Sequence, residues 1–279
     1  MSAAAFALRP AAPGDPGSAA FRHALRADPE GAYVAVDGVG APVGRAAGSV
    51  REDTLRLATL EVEEAARGRG VGSALFDAVR AYGGARGASA LETECPLEPA
   101  SLAFAAKKRL PVRTLVLALE LSKAPEDAGR PSALEVEPFV PGAGLSGWVA
   151  ALERETRGYA LTPDWPLWLR GGGRAFALRR GGRPEGIAAI FAEEEHQNVV
   201  HIGPLSAKTP TSASAALAPL SVLARASGAR RVTVSVSADA RLLLDVALGL
   251  GFRVTGARAL LSTRPRGDLR RTIGGPAFF

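Results

Sequence analysis

Short apolar segments alternate with amphipathic segments along this chain, and the same order occurs in both halves. Runs of four to ten residues rich in Val, Ala and Leu and bounded by turn residues predict strands, and apolar positions three and four apart predict helices. Asp37-Gly38-Val39-Gly40 predicts the turn of a hairpin. In the first half the pattern predicts strands at Phe6–Arg9, Ala32–Val36, Pro42–Val50, Leu57–Val62, Ser89–Glu94 and Arg113–Leu119, and helices at Ser18–Ala27, Ser73–Ala85 and Ala100–Lys108.

The second half repeats this order of predicted strands and helices at a period of roughly 140 residues, which indicates two similar domains rather than a solenoid. Val199–Leu205 takes the place of the Leu57–Val62 strand, and a helix begins near Ala215 as one does near Ser73. Further strands are predicted at Ala175–Arg180, Gly186–Ala192, Arg231–Val236 and Ala257–Ser262. The expected organisation is a first domain over residues 1–124, a linker near 125–131, a second domain over 132–265 and a C-terminal tail over 266–279.

Composition narrows the class of protein. The chain has 279 residues, of which 47% are hydrophobic and 22% charged, as is usual for globular proteins. No run approaches the ~20 apolar residues of a membrane span, and the N-terminus lacks the basic region of a signal peptide. A single cysteine, Cys95, cannot form an internal disulfide, which favours a reducing cytoplasm. Three scattered histidines have no metal-site spacing, so no metal is expected.

The net charge of +6 favours an anionic ligand. Nucleic acid is not the expected partner, because only 6% of the residues are aromatic and no basic block alternates with aromatic residues. No membrane partner is expected either. The C-terminal tail ends in Phe278 and Phe279, which either pack on the body of the protein or support a homodimer.

The most informative segment is glycine-rich and lies between the predicted strand Leu57–Val62 and the predicted helix Ser73–Ala85. A strand, a glycine-rich turn and a helix start together present backbone N–H groups to a pyrophosphate. A Walker loop is excluded because Gly-Lys-Ser/Thr does not occur, and the spacing of Gly68, Gly70 and Gly72 does not match Gly-x-Gly-x-x-Gly. A glycine-rich turn without a ligand remains the alternative.

The spacing that does fit is Arg/Gln-x-x-Gly-x-Gly/Ala, filled by Arg67, Gly70 and Gly72. With a Val-containing strand just before it, this segment resembles the acetyl-coenzyme A loop of the GNAT N-acyltransferases. Gly251-Phe252 resembles the Gly-Phe that closes many domains of that family. The resemblance implies an α+β fold of two GNAT-like domains, each a mixed twisted sheet flanked by helices with a splayed central strand. It also implies that acetyl-CoA is the cofactor.

The family's binding roles carry over to the first half residue by residue. The resemblance implies that the backbone of Leu60, Glu61 and Val62 pairs with pantetheine and that the Val62 N–H polarises the thioester. Arg67 and Arg69 would add positive charge beside the pyrophosphate, or are surface arginines. The implied cofactor-binding residues are Leu60, Val62, Arg67, Gly68, Arg69, Gly70, Val71, Gly72 and Ser73.

The implied reaction transfers an acetyl group from acetyl-CoA to a primary amine of an unidentified acceptor; a small-molecule amine is expected, and a protein N-terminus remains the alternative. Such an amine must lose a proton, and Glu61 or Glu63, on one face of the strand, is the candidate catalytic base. A solvated strand end is the alternative for both residues. The Tyr that the family often places on its last helix is replaced by Ala105.

The missing Tyr leaves water, Ser101, Cys95 or a residue of the other domain to protonate the leaving thiolate. It also keeps open a non-catalytic acyl-CoA-binding or sensing protein as the alternative function.

The second half departs from the family pattern at the equivalent loop. Ser212 and Ser214 stand where the first half has Gly70 and Gly72, and Pro210 lacks an N–H donor. This half is therefore expected not to bind acyl-CoA in the ordinary way. Trp165 and Trp168 are expected either in its core or over the acceptor.

Overall fold

The computed structural model describes residues 6–123, 134–140, 146–170, 172–192, 198–265 and 267–274. The predicted linker at 125–131 and the end of the tail, with Phe278 and Phe279, lie outside the described residues. Two compact units divide the described chain. The first takes in the residues up to Glu94 and the segment Leu261–Arg264, and the second takes in Cys95–Leu260 and the residues that follow Arg264.

The first unit is an α+β layer of one sheet with two helices. Its strands follow the order β1-β2-β3-β4-β5, antiparallel from β1 to β4 and parallel between β4 and β5. Its elements are β1 (Ala7–Pro10), α1 (Ala19–Ala27), β2 (Ala32–Val36), β3 (Pro42–Arg51), β4 (Thr54–Val62), α2 (Val71–Ala85) and β5 (Ala90–Pro96).

Local chemistry explains where these elements begin and turn. The Ser18 side chain accepts a hydrogen bond from the Phe21 N–H and so caps α1. The Asp37 carboxylate accepts from the N–H groups of Val39 and Ala41 and closes the predicted hairpin turn. Phe21, fully buried, anchors α1 against the sheet. The helix therefore has both a start signal and an apolar face to bury.

The end of α2 is held by polar contacts far from its start. The Tyr82 hydroxyl donates to the Asp28 carboxylate at 2.5 Å, and burial together with that carboxylate raises the pKa of Tyr82 well above its ordinary value. Arg86 forms an ion pair with Glu30 just beyond the helix. Tyr82 is thus a structural residue, tying α2 to the loop after α1.

The second unit contains the remaining strands. Its strands follow the order β12-β6-β11-β10-β9-β8-β7, and β13 pairs with β10. Its elements are α3 (Pro99–Lys107), β6 (Val112–Leu121), β7 (Glu135–Phe139), α4 (Ser146–Arg157), α5 (Trp165–Arg170), β8 (Arg174–Arg180), β9 (Arg183–Ala192), β10 (Val199–Ala207), α6 (Pro210–Ala226), β11 (Arg231–Ser237), α7 (Arg241–Gly249), β12 (Arg253–Ser262) and β13 (Thr272–Ile273).

Neither unit is one continuous run of the chain. The β6 strand, predicted in the first domain, pairs antiparallel with β11 of the second unit from Leu121 opposite Val232 to Val116 opposite Ser237. Conversely, Thr263 comes from the second half of the sequence but lies in the first unit, where it forms hydrogen bonds in both directions with Leu91. The pattern of apolar residues predicts strands but does not specify the partner with which each strand pairs.

None of the helices in the described part of the chain combines the length and the apolar character needed to cross a membrane.

An ion pair at the start of β4 generates a pH-dependent prediction. Arg264 donates to the Asp53 carboxylate at 2.7 Å and to the Thr54 hydroxyl at 2.6 Å, and the bond from Arg264 lowers the pKa of Asp53. A lowered pKa in the folded state means stabilisation above the ordinary pKa of ~3.9 that is lost as the pH falls below it. Because both side chains are partly exposed, we expect Arg264→Ala to cost about 1 kcal/mol at pH 7.

Urea denaturation of the wild type and Arg264→Ala at pH 7 and pH 3.5 measures this difference. The gap in unfolding free energy should narrow at the lower pH, whereas Arg253→Ala, at an exposed position on β12, should open no gap at either pH. A gap that is independent of pH would contradict the ion-pair account.

Candidate functional site

The parallel strands β4 and β5 separate in the middle of the first unit. Their pairing runs from Thr54 opposite Ala90 to Leu57 opposite Thr93, and the Thr93 hydroxyl donates to the Leu57 carbonyl at 2.8 Å where it stops. The β4 strand continues to Val62, still paired on its other edge with β3. Along residues 58–62, therefore, no described strand of this unit pairs with the edge of β4 that faces away from β3.

The direction of the peptide groups in this stretch decides what the free edge offers. The Glu63 N–H donates to the Val43 carbonyl of β3 at 3.0 Å. Since successive residues of a strand direct their peptide groups to opposite edges, the N–H groups of Leu60 and Val62 point away from β3, into the gap. The gap is therefore lined by backbone donors and acceptors that can pair with the amides of a ligand.

The glycine-rich loop lies directly after this edge. Residues Glu64–Ala66 form a single 3₁₀ turn, and the Arg67 Nε donates to the Val62 carbonyl at 3.2 Å, which fastens the loop to the strand end. Gly68 and Gly70 have φ of +75° and +86°, which L side chains rarely adopt. A Cβ on either glycine would meet no protein atom within 4 Å, so the space beside the loop is open.

The loop leads directly into α2, and no side chain of the loop caps the start of that helix. Gly70 occupies the N-cap position and supplies no side-chain hydrogen bond, so no side chain caps this 15-residue helix. The first-turn N–H groups and the positive end of the helix dipole are suited to an anion. Arg67 and Arg69 are both exposed beside it and contribute positive charge.

The first turn of α2 is positioned by its close contact with the backbone of β3. A Cβ on Gly44 of β3 would lie 3.0 Å from the Glu61 carbonyl oxygen and from side-chain atoms of Leu75 and Val71. Glycine at this position lets the first turn of α2 pack directly against β3, beside the strand that splays.

The predicted catalytic carboxylates come together around one arginine. Arg45 lies opposite Glu61 in the β3–β4 register; its Nη2 is 2.9 Å from Glu63 Oε1 and its Nε is 3.7 Å from Glu61 Oε2. Its Nη1 donates to the Pro16 carbonyl at 2.9 Å. Glu61 also accepts from the Thr59 hydroxyl at 2.8 Å. The two glutamates share a face, as alternation predicts, and Arg45 is a neighbour that sequence reasoning missed.

The candidates for protonating a leaving thiolate are not assembled in the first unit. Tyr82 lies on α2, but about 16 Å along the helix from Val71, and its hydroxyl is bonded to Asp28. Ser101 lies on α3 and Cys95, half-buried, near the end of β5, and both belong to the second unit. Ala105, at the position of the family's Tyr, is buried in α3.

The aromatic segment of the second unit is part of a core. Trp165 and Trp168 are both 3% exposed and their rings meet edge to face at 5.6 Å. The Glu153 carboxylate accepts from Trp165 Nε1 at 2.9 Å and from the Leu161 N–H at 2.6 Å. Burial raises the pKa of Glu153 despite these bonds. Of the two expectations for these tryptophans, core packing is the one that the structure shows.

No group of His, Cys, Asp and Glu side chains within the described ranges is arranged to hold a metal ion.

Comparisons with known proteins now bear on this geometry. Residues 4–109 match the model of the acetyltransferase (GNAT) family. A search of curated proteins finds no match.

Solved structures match over nearly the whole chain, at sequence identities that establish the fold alone. A putative acetyltransferase from Pyrococcus horikoshii superposes with a TM-score of 0.76 at 18% identity, covering 98% of this chain and 96% of its own. A GCN5-related N-acetyltransferase from Sphaerobacter thermophilus gives 0.65 at 18%, covering 96% and 98%. A tandem GNAT protein from the clavulanic acid biosynthesis pathway gives 0.63 at 19%, covering 91% and 89%.

The predicted fold class is therefore confirmed, and the splayed strand of the first unit is visible in its register. The family match places an acetyltransferase (GNAT) domain at residues 4–109 of the chain.

Proposed function

We propose that the first unit binds acetyl-CoA and transfers its acetyl group to the primary amine of a small-molecule acceptor. The observation that carries the proposal is the continuity of the free edge of β4 with the open glycine loop and the uncapped start of α2. A free strand edge can pair with the amides of a ligand, and the loop and helix start that follow it can hold an anion. Together they match a ligand that has an amide-containing arm and a pyrophosphate. The family match supports acyl transfer as the reaction class.

Each part of the site has a defined task in this proposal. Acetyl-CoA supplies an acyl group activated as a thioester. The peptide groups of Leu60 and Val62 pair with the amides of the pantetheine arm, and the N–H groups from Gly68 to Ser73 hold the pyrophosphate. Arg67 and Arg69 add charge that salt will screen, since both are exposed. The Val62 N–H donates to the oxygen on which negative charge develops.

In this proposal the amine proton is accepted by one of the two carboxylates beside Arg45, those of Glu61 and Glu63. An amine must be neutral to attack, and Glu61 or Glu63 accepts its proton at a carboxylate oxygen, directly or through water. Arg45 holds both carboxylates near the strand end and restricts their orientation. Because Ala105 stands where the family often has its Tyr, water protonates the departing thiolate in this proposal.

Acetyl-CoA and free amines are cytoplasmic metabolites, and a single Cys95 suits that reducing compartment, so we place the activity there. A homodimer remains part of the proposal.

The binding half of the proposal predicts that Gly70→Glu weakens acetyl-CoA binding by at least about 100-fold, because a carboxylate would enter the open space where the pyrophosphate is held. Gly40→Glu is a matched control: Gly40 has the same φ of +86°, and a Cβ there also meets nothing within 4 Å. Both variants should lose similar stability from the left-handed backbone, about 1–2 kcal/mol. Calorimetric titration should show that only Gly70→Glu loses affinity.

Equal loss of affinity in both variants would attribute the effect to stability rather than to the loop. The absence of binding by the wild type would overturn the proposal for the enzyme and for a sensing protein together.

The catalytic half predicts that Glu61→Gln or Glu63→Gln lowers kcat about 100-fold toward an amine found by library screening, with acetyl-CoA affinity retained. The neighbouring exposed Glu64 provides the control, since Glu64→Gln changes the same charge outside the Arg45 cluster. Thiol release followed with a chromogenic disulfide measures the rate. Full activity in both variants would remove these carboxylates from the mechanism, and binding without turnover of any amine would favour a sensing protein.

A further inference from the structure

The second unit splays its parallel strands at the same place as the first. Pairing between β10 and β11 runs from Val199 opposite Arg231 to His201 opposite Thr233. Both strands continue well past this point, to Ala207 and to Ser237. In the first unit no described strand pairs with the corresponding edge of β4, but here the gap contains a strand of the chain itself.

That strand is β13, Thr272–Ile273. It pairs antiparallel with β10, with Ile273 opposite Leu205 and Thr272 opposite Ser206. One residue further, the Gly274 N–H donates to the Ser235 carbonyl of β11 at 2.7 Å. Ile273 is fully buried and Thr272 is 4% exposed. The segment therefore satisfies peptide groups on both strands that the splay would otherwise leave unpaired.

Two buried arginines fasten this segment. Arg157 of α4 is 2% exposed, and its Nη2 donates to the carbonyls of Leu205 at 2.8 Å and Ile273 at 2.5 Å, joining β10 to β13. Arg271 donates through Nε to the Ala207 carbonyl at 2.9 Å and through Nη1 to Glu155 at 2.7 Å. A Cβ on Gly203 would lie 2.0 Å from the Gly274 carbonyl oxygen, so the backbones are in direct contact.

The start of α6 is closed as well. Thr209 caps this helix by accepting from the Ser212 N–H at 3.0 Å, whereas α2 has no side-chain cap. The Ser212 hydroxyl donates to the Glu185 carboxylate at 2.7 Å, and Ser212 is 1% exposed. A negative charge of the chain itself thus lies by the helix start that would face an anion.

We propose that β13 and Glu185 are the built-in occupants of the second unit's acyl-CoA slot, β13 in the place of the pantetheine arm and Glu185 in the place of the pyrophosphate. The description of that slot rests on the proposed function of the first unit. The residues present in the second unit do not fit acyl-CoA, because its strand edge, its helix start and its charge are already matched internally. The chain consequently binds one acyl-CoA, in the first unit, and keeps the second unit closed.

Amide hydrogen exchange, detected by NMR on the full-length protein, tests this directly. The Gly274 amide should exchange as slowly as the buried Val234 amide of β11, and a saturating concentration of CoA should leave both rates unchanged. The same CoA should slow exchange at Gly68 to Ser73. Titration should give one equivalent of CoA for the wild type and none for Gly70→Glu.

Acceleration of Gly274 exchange by CoA, or an equivalent of CoA still bound by Gly70→Glu, would overturn the proposal. These outcomes are distinct from failure of the first unit to bind, which would leave Gly274 slow and Gly68 to Ser73 unchanged. Rapid Gly274 exchange in the free protein would also overturn it, by showing that the slot is open most of the time.

Complementation by a peptide provides a second test. A chain ending at Arg266 retains Arg264 but lacks β13, and its Tm should fall by about 5–10 °C because buried peptide groups lose partners. A synthetic peptide of residues 267–274 should restore the Tm saturably by adding a strand to β10. The same peptide carrying Ile273→Asp should not. An unchanged Tm on truncation would contradict the proposal, and if the shortened chain fails to fold the exchange experiment decides alone.

In the full chain, Arg157→Met should lower the Tm by a similar amount and speed exchange at Gly274. Arg154→Met, at an exposed position of the same helix, should do neither. Loss of stability without faster exchange at Gly274 would assign Arg157 to packing of α4 rather than to holding β13.

Discussion

Two parallel strands can separate inside a protein only if the peptide groups that they stop sharing find other partners. The candidate cofactor site of the first unit and its counterpart in the second both depend on how that constraint is met. In the first unit β4 and β5 part after Leu57 and Thr93, and a threonine hydroxyl takes the last carbonyl before the open edge. In the second unit β10 and β11 part after His201 and Thr233, and a strand from the same chain enters between them. One architecture thus offers a slot in one case and fills it in the other.

The electrostatics of the two helix starts follow the same division. At α2 the loop contributes glycines with positive φ, exposed arginines and no cap, which leaves positive potential facing open space. At α6 a threonine cap, a buried serine and a carboxylate neutralise the equivalent region. At the end of β4 the carboxylates of Glu61 and Glu63 both form ion pairs with Arg45. The polar groups at the start of α6 are therefore paired with one another, whereas the arginines beside the start of α2 are exposed.

Much of the fold was predictable from local pattern, since α1, α2 and strands β1 to β6 lie within a few residues of their predicted limits. The loop was readable because positive φ at Gly68 and Gly70 favours glycine. The association of β6 with β11 was not, because period-two alternation does not encode partners. The β13 strand is two residues long and carries no periodicity, and Arg157 and Arg45 look like ordinary helix and strand arginines. Their roles arise from distant backbone carbonyls and carboxylates that only the fold brings near.

The segment Leu261–Arg264 has a consequence for the synthesis of the protein. Arg264 bonds to Asp53 across 211 positions of sequence, and Thr263 bonds to Leu91 across 172. A ribosome releases the chain from its N-terminus, so the first unit emerges early yet cannot complete its hydrogen bonds until the segment that ends at Arg264 has also been released. Until then the edge of β5 next to Leu91 is without its native partner. Folding of the unit that carries the glycine loop therefore waits for residues far along the chain, and a chain that stops short of Arg264 would leave it unfinished.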